Sequence, residues 1–386
     1  MTDVTDGGLR GASPEIVHAT LETRNPLPGT FGYAGWLEDA LVRDVLGRVP
    51  LFVERAMLEG TTPLEPAGTA YTPSALEKPV LFPAGSRQRS GAPPETVWTL
   101  PAHAEDSDDG EVGVETLRTD PDDAIERVDE AITAAADAVT NEDADIAVAF
   151  SGGVDSALVA DLLDAPLYVV GFPGSHDVDA ARTAAEAMGR DLTVVDLEPS
   201  DLEEATPTVA RAIGRTNAMD VQIALPLYLV AERIAADGFD AMAVGQGADE
   251  LFGGYEKVVH LDHRVEADTV RGAVLEQIQT LPTQLPRDIL AIEASGIESV
   301  APFLHDEVVE AALQLPEALL ADEHRRKRAL RIVASQYLPD SVAMREKKAV
   351  QYGSLVAREL DRLARQAGYK RRMDDHVTRY VESLLE

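Results

Sequence analysis

The apolar run Ile146-Ala147-Val148-Ala149-Phe150 leads straight into Ser151-Gly152-Gly153-Val154-Asp155-Ser156, and that segment into the helical run ALVADLL. A strand, a glycine-rich turn and a helix in direct succession put the turn at a strand's carboxyl end. Further short apolar runs at Leu167 to Gly171, Leu192 to Val195 and Ala241 to Val244 alternate with helical segments such as DAARTAAEAMG and ALPLYLVAERIAADG. This alternation predicts an α/β fold with a doubly wound, mainly parallel sheet, whose ligands sit beyond the carboxyl ends of its strands. Past Gly254 the pattern is mainly helical to the end.

The turn itself carries chemistry. Glycines let backbone approach a polyanion closely, successive amides point into the turn, and the following helix adds its dipole, so the segment reads as a phosphate cradle. Ser151 and Ser156 add hydroxyl donors, and Asp155 inside an anion site is a candidate Mg²⁺ ligand. No lysine follows the glycines, which separates it from the GxxxxGK[ST] phosphate loop. A second cluster, Gly245-Gln246-Gly247-Ala248-Asp249-Glu250-Leu251-Phe252-Gly253-Gly254-Tyr255, follows the run Ala241 to Val244. Gly245, Gln246 and Gly247 are candidates for contact with nucleotide or ribose, and Asp249 for a second carboxylate on the same metal.

Composition bounds the remainder. The chain has 386 residues, enough for two domains. Residues 1–105 are rich in Pro and Gly around short apolar stretches such as Gly32-Tyr33-Ala34-Gly35-Trp36, which predicts a small β-rich module. Residues 106–122 are acidic and turn-rich and read as a linker, and the α/β domain is expected over 123–386. With no cysteine, disulfides, thiolate zinc sites and cysteine nucleophiles are excluded. The net charge of −34 is spread along the chain, as in a surface adapted to high salt, and repels nucleic acid. No apolar run suits a membrane helix and the start does not read as a signal peptide, so a cytoplasmic location is expected. Only six lysines occur; Lys327, Lys347, Lys348 and Lys370 lie toward the C-terminus among arginines. Lys327, Arg328 and Arg331 read most simply as balancing acidic neighbours.

SGGVDS followed by GQGADELFGGY resembles the asparagine synthetases and their relatives, including β-lactam-forming synthetases. The resemblance covers roughly residues 125 to 355. Gly296-Ile297-Glu298-Ser299-Val300-Ala301-Pro302-Phe303-Leu304-His305 looks like the family's acceptor-side segment, and Arg345-Glu346-Lys347 like the segment carrying its pyrophosphate-facing lysine. The resemblance implies an adenine nucleotide alpha hydrolase-like (PP-loop) fold and an AMP-forming ligase using ATP and Mg²⁺. A carboxylate attacks the α-phosphate, and an amine then displaces AMP. Implied catalytic residues are Lys347, Asp155 and Asp249, with Asp155 and Asp249 on the metal. The nucleotide would meet Ser151, Gly152, Gly153, Val154, Ser156, Gly171, Phe172, Gly245, Gln246, Gly247 and Arg345.

The pattern also departs from the family. Glutamine-using members expose a cysteine after methionine removal, whereas position 2 here is threonine, and the stretch from Arg43-Asp44 to Pro50-Leu51-Phe52 resembles the second half of a glutaminase domain. A shortened module without glutaminase activity is therefore expected, with ammonia taken free or from a separate glutaminase. Val300 stands where the family commonly has arginine and His305 where it commonly has aspartate. Aspartate and ammonia are the first expected substrates, another carboxylate acceptor the alternative. A tRNA-modifying enzyme and a catalytically dead nucleotide-binding subunit remain as further readings.

Overall fold

A computed structural model describes residues 8–100, 120–140, 144–260, 265, 267–322, 324–345 and 355–385. Seven short strands lie in the N-terminal part: β1 (Ala34–Leu37), β2 (Ala40–Arg43), β3 (Phe52–Glu54), β4 (Thr69–Ala70), β5 (Pro79–Leu81), β6 (Ser86–Arg89) and β7 (Glu95–Thr96). They form two antiparallel sheets, ordered β1-β2-β6-β7 and β4-β3-β5. The small β-rich module legible in the sequence is thus present. Leu41, Leu51, Val53 and Phe82 fill one of its cores, and Tyr33, Val42 and Trp98 the other.

Five strands build the central sheet: β8 (Ile146–Ala149), β9 (Leu167–Gly171), β10 (Leu192–Asp196), β11 (Ala241–Ala243) and β12 (Glu298–Val300). Every pairing is parallel and the order is β10-β9-β8-β11-β12. From β8 the chain winds outward to β10, then returns to lay β11 against the other side of β8. The order reverses between β8 and β11, which opens the crevice where doubly wound folds bind ligands. β9 is buried along its whole length, as a sheet covered on both faces requires, while the edge strand β10 is partly exposed. Alternate side chains divide the core: Val148, Val169 and Ala243 pack toward the helix Pro121–Thr140, and Ala147, Tyr168, Val170 and Met242 toward Pro199–Ile213 and Ala218–Ala236.

β12 falls inside Gly296 to His305, the stretch that resembles the family's acceptor-side segment. Three residues, Glu-Ser-Val, offer no periodicity; pairing with β11 makes the strand, its Val300 carbonyl accepting from Val244 N at 2.9 Å. Most of the expected linker lies outside the described residues, and its last two positions already belong to the helix Pro121–Thr140. The N-terminal part meets the segment that follows β12 through buried polar groups. Arg48 Nη1 donates to the Leu304 carbonyl at 2.8 Å and lies 2.7 Å from Asp306 Oδ1, while Asp306 Oδ2 accepts from the amides of Gly29 and Thr30 at 3.0 and 2.7 Å.

Candidate active site

The two glycine-rich loops stand at the carboxyl ends of the neighbouring strands β8 and β11, on either side of the crevice. After β8 the chain turns through Gly152, at φ +70°, where a Cβ would meet the Ala180 carbonyl of the helix His176–Met188. Only glycine meets both demands. The helix Val154–Leu162 begins with Gly153 as N-cap, which brings no side chain to its first amides. Amides left without a side-chain cap are the donors an anion site needs. Ser156 Oγ accepts from Ser151 N at 3.1 Å and reaches Ser151 Oγ at the same distance, so the loop is closed on itself.

Behind it, β11 brings Gly245 so close that a Cβ there would fall 2.8 Å from Asp155 Cβ. The structure thereby brings together Asp155 and Asp249, residues 94 positions apart, and adds one that the sequence reading set aside. Lys327 Nζ lies 2.7 Å from Asp155 Oδ2 and 2.6 Å from Asp249 Oδ1. Burial opposes its positive charge, yet the two carboxylates outweigh it and hold the ammonium above its ordinary pKa. Charge balancing holds for Arg328, which pairs with its neighbour Asp322 at 2.9 Å, whereas the acids that Lys327 balances are the two distant candidate metal ligands. Both carboxylates thus meet at a single cationic nitrogen.

Other expected contacts fall differently. Gly171 ends β9, and the Phe172 ring is buried in the core, which leaves its backbone as the group facing the strand ends. Arg345 donates to the Ala180 carbonyl at 2.9 Å, the same carbonyl that abuts Gly152, so it stands by the phosphate loop. Gln246 is tied to the helix behind it: its Nε2 donates to Asp288 Oδ2 at 2.7 Å. Burial pushes the Asp288 carboxyl up against the pull of Arg287, whose Nε donates to it at 2.6 Å. Tyr255 donates to the buried Glu250 at 2.5 Å. Lys347 lies outside the described residues.

His305, an oddity on sequence, has a structural task. Its Nδ1 accepts from Glu307 N at 3.4 Å as N-cap of the helix Asp306–Leu313, a place an aspartate would also fill, and its ring packs edge-on to Phe31 at 4.7 Å. Burial disfavours its cation and lowers its pKa. The unfolded chain takes up a proton below about pH 6.5 that the folded one refuses, so stability falls as pH drops through that range. His305→Asn keeps a capping oxygen without titrating. Its melting temperature is expected to fall less than that of the wild type between pH 7 and 5.

Fold and loops together define an α/β protein of the PP-loop type: a parallel sheet whose switch point carries two glycine-rich loops and a pair of acids. The Asparagine synthase family profile matches residues 127–283 and 262–385, and the chain belongs to the asparagine synthase family. A Methanocaldococcus jannaschii protein, itself provisionally assigned as a glutamine-hydrolysing asparagine synthetase, is 32% identical over 270 residues, 60% of this chain and 50% of that one. Asparagine synthetase B of Escherichia coli, named as glutamine-hydrolysing, is 26% identical over 189 residues, 48% of this chain and 34% of its own. The chain thus spans half or less of the length of these relatives. A solved structure of NMN synthetase from Francisella tularensis is 14% identical, covering 62% of this chain and 93% of that chain at a TM-score of 0.27. No helix among the described residues is long and apolar enough to cross a membrane.

Proposed function

We propose that the protein adenylates a carboxylate at the expense of ATP and then forms an amide, with aspartate as acceptor and ammonia as amine. The observation that carries this reading is the convergence of Asp155 and Asp249 on one point beside an uncapped helix N-terminus. In the proposed reaction a carboxylate oxygen of aspartate attacks the α-phosphorus, the bond to the bridging oxygen breaks, and pyrophosphate leaves. Ammonia then attacks the acyl carbon, AMP departs, and the nitrogen sheds a proton. Ser151, Gly152, Gly153, Val154 and Ser156 cradle phosphate through backbone and hydroxyl donors. Asp155 and Asp249 hold Mg²⁺, which when bound offsets charge on the leaving group. Gly171, Phe172, Gly245 and Gly247 present backbone to the nucleotide, Gln246 fixes its loop through Asp288, and Arg345 adds positive charge by the cradle. Lys347 is assigned to the pyrophosphate on the family pattern alone.

A second reading keeps the adenylating centre and changes the acceptor. It is favoured by Val300, whose side chain offers no cation to an acceptor carboxylate. The deciding measurement is pyrophosphate release from ATP and Mg²⁺ in concentrated salt, with aspartate, ammonium and glutamine each added or withheld, and mass analysis of the product. Asparagine formed only with aspartate and ammonium establishes the first reading. Release with other carboxylates but not aspartate transfers the assignment to the second.

A further inference from the structure

Lys327 stands where a divalent cation shared by Asp155 and Asp249 would stand, and we infer that it reserves this acid pair for metal arriving with the nucleotide. The inference rests on the nucleotide reading of the site. Three features show that the lysine is built into its position. Its backbone is left-handed, at φ +55°, a conformation uncommon outside glycine, held at the start of the helix Arg328–Tyr337. Arg331, itself buried, donates from Nε to the carbonyl of Arg326 at 2.9 Å and so fixes the preceding residue. Gly254 leaves open the space taken by Asp249 Oδ1 and Lys327 Cε, which any Cβ would invade, while Arg326 Nη1 donates to the Gly254 carbonyl at 3.1 Å.

The ligand supply points the same way. Among the described residues no group of three or more His, Cys, Asp or Glu side chains is arranged to hold a metal. Two carboxylates alone are a poor site for free Mg²⁺, which completes its shell with water and substrate phosphates. A free ion arriving at Asp155 and Asp249 has to displace an ammonium that is only 6% exposed and gains two protein ligands in return. A metal–nucleotide complex brings phosphate oxygens for the metal and an anionic partner for the displaced lysine. Metal and nucleotide affinity are then coupled, each raising the other by the same factor. In a chain of net charge −34, an internal counter-ion keeps this pair of acids from holding divalent ions indiscriminately.

The test is Mn²⁺ binding to the full chain, measured by equilibrium dialysis against buffer holding the same free Mn²⁺ and analogue, so that Mn²⁺ chelated by analogue alone is equal on both sides. Wild type and Lys327→Met are compared with and without α,β-methylene ATP. Lys327→Met is expected to gain a site binding at least tenfold tighter than anything in nucleotide-free wild type, and adding Asp155→Asn to it should remove that site. The analogue should tighten wild-type binding by at least tenfold. Equal Mn²⁺ affinity of wild type and Lys327→Met without nucleotide overturns the inference and leaves the nucleotide reading intact. A wild type that gains no Mn²⁺ affinity with the analogue overturns the nucleotide reading itself, whatever the variant does. Should Lys327→Met fail to fold by circular dichroism, Lys327→Gln serves with the same expectations.

Discussion

Asp155→Asn is expected to cut ATP-dependent pyrophosphate release by roughly 10³-fold or more, about 4 kcal/mol of transition-state stabilisation, with little change in the thermal melt. The substitution preserves shape and removes charge at the point where two elements depend on it. The helix Val154–Leu162 loses the carboxylate in its first turn, and the proposed metal site loses one of its two protein ligands. Lys327 keeps Asp249 at 2.6 Å, so its buried ammonium is not left without a partner. Asp155 is also 23% exposed at its side chain, which limits the cost to the fold. Turnover within tenfold of wild type would take Asp155 out of the metal role. A large loss of melting temperature with the loss of activity would recast it as a structural residue.

The largest effect on stability is expected at Arg48. Its Nε donates to Asp44 Oδ1 at 2.9 Å, and its Nη1 lies 2.7 Å from Asp306 Oδ1, with side-chain exposures of 2% for the arginine and 0% and 1% for the acids. The directed bonds of Arg48 go to Asp44 and to the carbonyls of Leu304 and Thr30; its contact with Asp306 is an ion pair outside good hydrogen-bond geometry. Arg48→Met keeps most of the volume and leaves two buried carboxylates without their cation. Removing one partner of such a pair typically costs about 3–5 kcal/mol, a fall in melting temperature on the order of 5–10 °C here. Adding Asp306→Asn should recover part of the loss, because one uncompensated charge goes with it. Strictly additive losses in the double variant would mean that the two residues do not act as a pair.

What could be read in advance was what is encoded locally. Strand, glycine turn and helix are adjacent at Ile146–Ser156, and both acids sit in such turns, so the fold class and the pairing of Asp155 with Asp249 follow from short segments. Lys327 could not be found that way. It reaches the site from 172 positions beyond Asp155 through a left-handed backbone, and in sequence it lies in a run of arginines that suits any solvated helix start. Its one signal was rarity, six lysines in so acidic a chain. Asp288 and Arg287 were silent for a similar reason: they sit within the helix Leu281–Glu293, and only the fold turns them to Gln246. The strand Glu298–Val300 is made by its neighbour β11 and not by its own residues.

The buried charges have a consequence for how this protein responds to its medium. Among the described residues the buried cations are Arg43, Arg48, Arg287, Lys327 and Arg331, and the buried carboxylates are Asp44, Asp177, Glu250, Asp288 and Asp306. Counted at formal charge, five of each balance, so none of the formal excess of acid over base in the chain is held in the described interior. Scarce cations are drawn inward and the exterior is left more one-sided than the composition alone suggests. The folded chain then behaves as a neutral body in a charged skin. Repulsion within that skin reaches about 10 Å in 0.1 M salt and about 3 Å at 1 M, while the paired interior is screened much less by salt. Dilution of the medium should therefore strain the molecule from the outside inward, long before it reaches the ion pairs that hold the site.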